Sequence, residues 1–371
     1  MTTYRAIVDA LFRAAEANEA VVLATVVRIT GSSYGGVGTR MVVRVDGTTV
    51  GVVSGGCLET DLAGQAREVN ADGRARLVTY DTRADDDAAW GLGLGCNGVI
   101  DVLLEPLVPV EARAVASLLE DALSSDAKAV LATVIQLEEG SPLPPKVGAH
   151  ALVTGGVIET TGDWGDRTAL KLASAASDEA LEAGRRGMVR EYHGVTVAFE
   201  VITPAVRLVI CGSGPDVIPL VRFADELGWY LSVVDHRPVT EDHAARFPGA
   251  TLVECRDPLE LGDCAPLGAS TAAVVMSHHF ERDLDYVRAL LASDVAYIGV
   301  LGPRARTERM LADIKARGES HERMERLYSP VGMDIGGDGP DAIALAIITE
   351  VAAVVSERGG GHLRDRKGAL H

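Results

Sequence analysis

VRLVICGSGPDVIPLVRFADELGWYLSVVDH (residues 206–236) decides the fold of half this chain. An apolar run leads into a glycine turn, a helical stretch follows, and a second apolar run ends in Asp235. Unbroken apolar runs of this length suit strands buried on both faces, as in a parallel sheet. Gly212 permits the tight turn, and Gly214 lets backbone approach a pyrophosphate at the start of the helix. Asp235 stands where a carboxylate would accept from the ribose 2′-hydroxyl of NAD. Val217 occupies the third glycine position and Pro215 enters the first turn, so the dinucleotide pattern is incomplete.

Downstream, TLVEC (251–255), AAVVMSH (272–278) and VAYIGVLG read as further short strands separated by helices, which makes this a doubly wound, Rossmann-like domain. His278, His279, Arg304 and Asp334 fall at the carboxyl edge of that sheet, where such folds bind ligands. Adjacent strand residues point to opposite faces, so the two histidines do not share a metal.

Upstream the pattern repeats. AVVLATVV (20–27) matches KAVLATVI (128–135), and VGTRMVV (37–43) resembles VGAHALV (147–153), with a helix and two strands following in the same order. The fold class expected is therefore α/β: a C-terminal Rossmann-like parallel sheet domain preceded by a duplicated, β-rich α+β N-terminal region. The segments are 1–124 (first unit), 125–204 (second, degenerate copy), 205–358 (Rossmann-like domain) and 359–371 (disordered tail).

Composition narrows the function classes. A chain of 371 residues with 47% hydrophobic and 24% charged residues is globular. A formal charge of −18 argues against nucleic acid as partner, because phosphate neutralisation needs clustered Lys and Arg. No apolar run reaches the roughly 18–20 residues that span a bilayer, and the first residues read as an amphipathic helix, so a cytoplasmic location is expected. Five cysteines form no CxxC pair.

The copies differ where chemistry is most readily placed. The first has SGGCLETDLA (54–63), a glycine turn entering a helix, where the second has WGDRTALKLA. Cys57 sits at the entrance with Ser54, Gly55 and Gly56 before it, and a helix start favours a thiolate. Glu59 and Asp61 answer the helix dipole themselves, so a soft metal or an electrophile suits the turn better than a phosphate. Cys96, in GLGLGCNG, is the second cysteine in a glycine turn, and it too is missing from the second copy. Cys57 and Cys96 are the candidate metal ligands. In GSSYGGVGTR (31–40), Ser32, Ser33 and Arg40 could face an oxyanion. Cys211, buried in a strand, should be inert.

Together GSSYGGVGTRMVV, SGGCLE, GLGCNG and ICGSGPDV with VVDHRP resemble the XdhC/CoxI family of molybdenum hydroxylase maturation factors. The run AYIGVLGPRAR and the later SPVGMDIGGDGPDAIALAI are similar to that family as well. The resemblance implies binding of molybdenum cofactor at the two cysteine turns, support of its sulfuration, and delivery to a xanthine-dehydrogenase-type apoenzyme. It implies that apoenzyme and a cysteine desulfurase as partners, and a homodimer. Pro215 and Asn97 depart from the family pattern. Two other readings stay open: an NAD-dependent oxidoreductase using the Rossmann domain, and a scaffold that joins partner proteins.

Overall fold

The computed structural model describes residues 4–31, 35–81, 98–138, 145–165, 167–184, 186–319 and 323–366. They fall into two compact units, Met1–Pro204 and Ala205–His371, each treated by itself.

The first unit opens with α1 (Tyr4–Glu16), whose Ile7, Val8, Leu11 and Ala14 form one buried stripe. Strands β1 (Val21–Gly31), β2 (Arg40–Arg44) and β3 (Thr49–Gly51) lead to α2 (Glu59–Asp72), then β4 (Arg76–Asp81) and β5 (Gly98–Leu107). α2 ends at Gly73, which takes the left-handed φ of 63° and returns its N–H to Val69. Next come α3 (Pro109–Ser124), β6 (Ala129–Leu137), β7 (His150–Thr154), β8 (Val157–Thr161), α4 (Arg167–Glu182), β9 (Gly187–Tyr192) and β10 (Val195–Ile202).

Two antiparallel sheets result, ordered β3-β2-β1-β5-β4 and β8-β7-β6-β10-β9. Their strand orders correspond, and so do their irregularities. A register shift at Val27 in β1 is matched by one at Ile135 in β6. Both bulged residues join Leu103 and Ala198 in one buried cluster shared by the two sheets. The outer face of each sheet carries its own core, with Leu62, Ala66 and Val69 of α2 on the first and Ala173, Ala176 and Ala180 of α4 on the second.

Polar side chains cross this shared layer reciprocally. Arg40, starting β2 of the first sheet, pairs with Glu200 on β10 of the second (Nη1–Oε1 3.0 Å, Nη2–Oε2 2.5 Å). His150, starting β7 of the second sheet, lies 2.9 Å from Glu105 on β5 of the first. Both pairs are buried. Tyr4 of α1 also donates to Glu200, and burial first, then the Glu200 charge, pushes its phenol well above the ordinary value. The structure thus corrects the expectation for Arg40. Its guanidinium is engaged inside the protein, so it offers no fork to an outside oxyanion.

The second unit holds β11 (Arg207–Cys211), α5 (Val217–Glu226), β12 (Tyr230–Asp235), α6 (Glu241–Ala244), β13 (Ala250–Glu254), α7 (Leu261–Cys264) and β14 (Thr271–Val275). It closes with α8 (Phe280–Leu291), β15 (Tyr297–Val300), α9 (Arg304–Ala316), β16 (Leu327–Tyr328) and α10 (Pro340–Val355). All six strands are parallel, in the order β13-β12-β11-β14-β15-β16 that marks a Rossmann sheet. Separate apolar cores cover its two faces. The tail expected to be disordered from 359 carries a 3₁₀ turn at Leu363–Asp365, and Gly360, at φ 68°, brings the chain against Met333.

Removing one partner of a buried ion pair strands the other charge. Glu200→Ala should therefore cost about 3–5 kcal/mol, read by urea unfolding of the full chain. Replacing both residues with apolar ones of similar size should restore most of that loss. An unaffected midpoint for Glu200→Ala would mean the pair does not hold the two sheets together.

Candidate functional site

The turn that carries Cys57 is built by the next carboxylate along the chain. β3 stops at Gly51, and N–H groups that follow it are taken by a side chain. Glu59 accepts from Val53 N (2.8 Å), Ser54 N (2.8 Å), Ser54 Oγ (2.8 Å) and Gly56 N (2.9 Å). Ser54 Oγ accepts in turn from Leu58 N at 2.7 Å. Burial works to raise the Glu59 carboxyl pKa, but the bonds from Ser54 and Val53 outweigh it and hold the group below its ordinary value. Glu59 is thus a builder of the turn rather than a free ligand.

Gly55 and Gly56 have φ of 76° and 114°, a region that side chains with a Cβ rarely adopt. Their first role is therefore conformational. A Cβ built on Gly56 meets nothing within 4 Å, so the approach beside Cys57 is open as well. Cys57 is partly exposed and free of any disulfide. In the second copy, Trp164 takes the place of Ser54; it is buried, donates to the His150 carbonyl at 2.9 Å and fills the corresponding turn.

Ser32, Ser33 and Cys96 lie outside the described residues. The strand ends that flank them are informative nonetheless. Gly31 ends β1 opposite Gly98, where β5 begins, and β4 ends at Asp81 opposite Val99. β3 ends at the same edge of the sheet, leading into the Cys57 turn. Tyr80, near that end of β4, donates to Asp61 in the first turn of α2 at 2.5 Å. The connections that hold Ser32 and Ser33, Cys57, and Cys96 all leave the sheet from one edge.

The carboxyl edge of the Rossmann sheet has different chemistry. Gly212 has φ 128°, and a Cβ there would sit 2.7 Å from the Met276 carbonyl, so the turn demands glycine. Gly214 lies in the same turn beside Asp216, whose Oδ2 is 2.7 Å from His278 Nε2. Asp235 ends β12 as expected, but its carboxylate is fully engaged. Oδ1 accepts from Arg237 N (2.9 Å) and Nε (2.8 Å), and Oδ2 from Ser213 Oγ (2.5 Å) and Arg237 Nη2 (2.9 Å). Burial opposes ionisation, yet Arg237 and Ser213 hold the carboxyl far below the usual range. A carboxylate has about four acceptor sites, so a ribose hydroxyl could bind Asp235 only by displacing one of these donors. The expected role of Asp235 as a ribose acceptor is corrected accordingly. Arg237, Ser213 and His243, which also contacts Ser213 Oγ at 2.9 Å, escaped the sequence reading. Arg304 is exposed at the start of α9. Burial raises the Cys211 thiol well above its ordinary value, which suits an inert residue.

Among the described residues no three His, Cys, Asp or Glu side chains cluster to hold a metal ion. No described helix is long and apolar enough to cross a membrane.

A Rossmann-type unit alongside a tandem of five-stranded antiparallel sheets, one bearing an open cysteine turn, defines a two-part protein with a ligand-accessible thiol. The domain family described as the XdhC Rossmann domain matches residues 208–351, and the XdhC and CoxI family matches residues 14–81. The chain is 32% identical over 352 residues to a probable xanthine dehydrogenase subunit of Bacillus subtilis, covering 95% of this chain and 97% of the relative. It is 24% identical over 354 residues to the molybdenum cofactor insertion chaperone PaoD of Escherichia coli, covering 95% and 88%. A crystal structure described as a xanthine dehydrogenase from Bacillus halodurans superposes with a TM-score of 0.73 at 30% identity, over 99% and 98% of the two chains. The chain belongs to the XdhC and CoxI family.

Glu59→Gln would put an amide NH₂ where two acceptor oxygens now face N–H and O–H donors. It should loosen the turn and speed iodoacetamide labelling of Cys57 several-fold at neutral pH, read by peptide mass. The wild-type turn should loosen likewise in acid. A carboxyl with a lowered folded pKa stabilises fully above its unfolded value of about 4.3 and loses that contribution as pH falls through the folded value. Identical labelling rates would show that Glu59 does not shape access to the thiol.

Proposed function

We propose that this chain is an accessory protein that binds molybdenum cofactor, supports its sulfuration and inserts it into a xanthine-dehydrogenase-type apoenzyme. The observation that carries this reading is the open Cys57 turn, held by Glu59 and present in only one of two otherwise corresponding sheets. Thiolate is a soft ligand suited to a soft metal in sulfur-rich surroundings. A thiol such as that of Cys57 can hold a metal that arrives with ligands of its own and can release it again. Cys57 is the principal contact and Cys96 the second, with Ser32 and Ser33 on a connection from the same sheet edge. The cofactor, when bound, supplies the redox metal; the protein's part is to bind it, shield it and let it go. The names of the Bacillus subtilis and Escherichia coli relatives point the same way.

The partners in this reading are the apoenzyme and a cysteine desulfurase, in the cytoplasm, with the chain acting as a homodimer. Hydride transfer from NAD is left out, because Asp235 is already held by Arg237 and Ser213.

Cys57→Ala should lower co-purifying molybdenum at least tenfold by metal analysis while leaving the circular dichroism spectrum intact. Cys96→Ala should have a smaller effect and the buried Cys211→Ala none. Normal molybdenum retention and apoenzyme activation by the Cys57 variant would sink the proposal.

A further inference from the structure

The later turns of α2, away from the Cys57 turn, carry a second group of polar side chains. Arg67 lies about two turns beyond Glu59, roughly 12 Å along the helix axis. β2 ends at Arg44, opposite Val21 at the start of β1. A pocket of about 170 Å³ opens between these elements. Val21, Val43 and Ala66 supply apolar wall, and Arg44, Arg67 and Asn70 supply the polar part.

Neither arginine forms an ion pair among the described residues. The acids beside them in sequence are engaged elsewhere. Glu68 and Asp72 of α2 both pair with Arg76 at the start of β4, at 2.8 and 3.0 Å. Asp46, in the turn between β2 and β3, accepts from Thr48 N (2.8 Å) and Thr48 Oγ1 (2.6 Å). Those bonds first, and the charge of Arg44 after them, hold the Asp46 carboxyl below its ordinary value.

Arg44 is half-buried, and its Nε is shut off from solvent with no hydrogen-bond partner among the described residues. A buried donor left unmet costs free energy, and more so on a charged group. Arg67 is exposed, but the hairpin turn opposite limits where it can swing. Gly47 takes φ 85°, and a Cβ there would sit 3.0 Å from Arg67 Nη2. The other half of the unit lacks the first of these charges. β2 and β7 pair in the same register, Val43 opposite Val22 and Val153 opposite Val130, which puts Thr154 where the first half has Arg44. In a chain of formal charge −18, two arginines without carboxylate partners at one pocket set up a local positive field.

We propose that this pocket is a binding site for a small oxyanion, a carboxylate or phosphate group held by the guanidinium groups of Arg44 and Arg67, with the Asn70 amide donating a further hydrogen bond. Arginine N–H groups match both anions, and such charge-assisted bonds are stronger than neutral ones. The pocket has room for one such group with a short apolar body against Val21 and Ala66, since engineered cavities of about 150 Å³ hold benzene. The site shares α2 with the Cys57 turn and uses none of its residues.

The test is calorimetric titration of the full chain, at constant ionic strength, with isobutyrate, with inorganic phosphate, and with isobutyramide as the neutral analogue. At least one of the two anions should bind saturably, and isobutyramide at least tenfold more weakly than that anion. Arg44→Gln and Arg67→Gln should each weaken its binding at least tenfold. Tighter binding of isobutyrate would assign the site to organic carboxylates, and tighter binding of phosphate to phosphorylated compounds. No saturable binding of either anion, isobutyramide binding as tightly as the better anion, or undiminished binding by either variant would overturn the proposal. Should Arg44→Gln fail to fold by circular dichroism, Arg67→Gln, on the exposed face of α2, decides alone. The probes carry no metal and the variants leave the Cys57 turn untouched, so this site and the Cys57 reading can fail separately.

Discussion

The first unit depends on the ion pair between Arg40 and Glu200. Both side chains are withdrawn from water, and their attraction offsets that desolvation only if geometry is good and the remaining donors and acceptors are met. Here the fork is bidentate, Arg40 Nη1 also donates to the Gly38 carbonyl at 2.9 Å, and Tyr4 donates to the same carboxylate. Gly38 is required alongside them, since a Cβ there would collide with Glu200 and the Tyr4 hydroxyl. An apolar contact between sheets tolerates sliding, whereas this constellation accepts one register. A slip of one residue would turn Arg40 to the other face of its sheet and leave Glu200 buried alone. The bulges at Val27 and Ile135 have the same consequence, since each directs its side chain into the layer the two sheets share.

Much of the architecture was legible because it is written in local patterns. The turn from β11 into α5 announces itself through Gly212 and through apolar runs on both sides. The internal repeat shows in AVVLATVV and KAVLATVI. The polar contacts were not legible for a physical reason: they join residues 160 positions apart in the case of Arg40 and Glu200, and no local period reports such a pairing. Arg40 read as a surface guanidinium because it follows a glycine loop. Asp235 read as a ribose acceptor because the motif defines a position and is silent about competitors. Arg237, two residues on, is that competitor, and it was visible in VVDHRP only as a neighbour. One signal was available and passed over: the lone glutamates in VLLEPL and AFEVI sit at the same place in the repeat, and an acid inside an apolar strand needs a partner.

The cysteine turn shows how a local rule and a functional demand can coincide. Glycines at 55 and 56 leave the chain before Cys57 bare of side chains. The backbone angles give them a prior reason, because the loop that wraps the Glu59 carboxylate needs positive φ at both. Open space beside Gly56 then follows from the loop's shape. The turn is thus held by hydrogen bonds to one carboxylate. Preorganisation of this kind lowers the ordering cost of whatever meets the thiol.

The two sheets of the unit, read as a pair, divide structural and chemical tasks between them. Wherever one half is open the other is filled. Cys57 is partly exposed where Trp164, in place of Ser54, is buried in the matching copy, and Ala112 stands where Tyr4 of the other half reaches Glu200. A repeated scaffold makes this tolerable in energy. The filled copy of each site retains the packing and polar satisfaction that stabilise the interface, and the open copy can forgo them. A bare cysteine turn stands in its own copy beside an intact twin, and that twin displays the contact its open counterpart lacks.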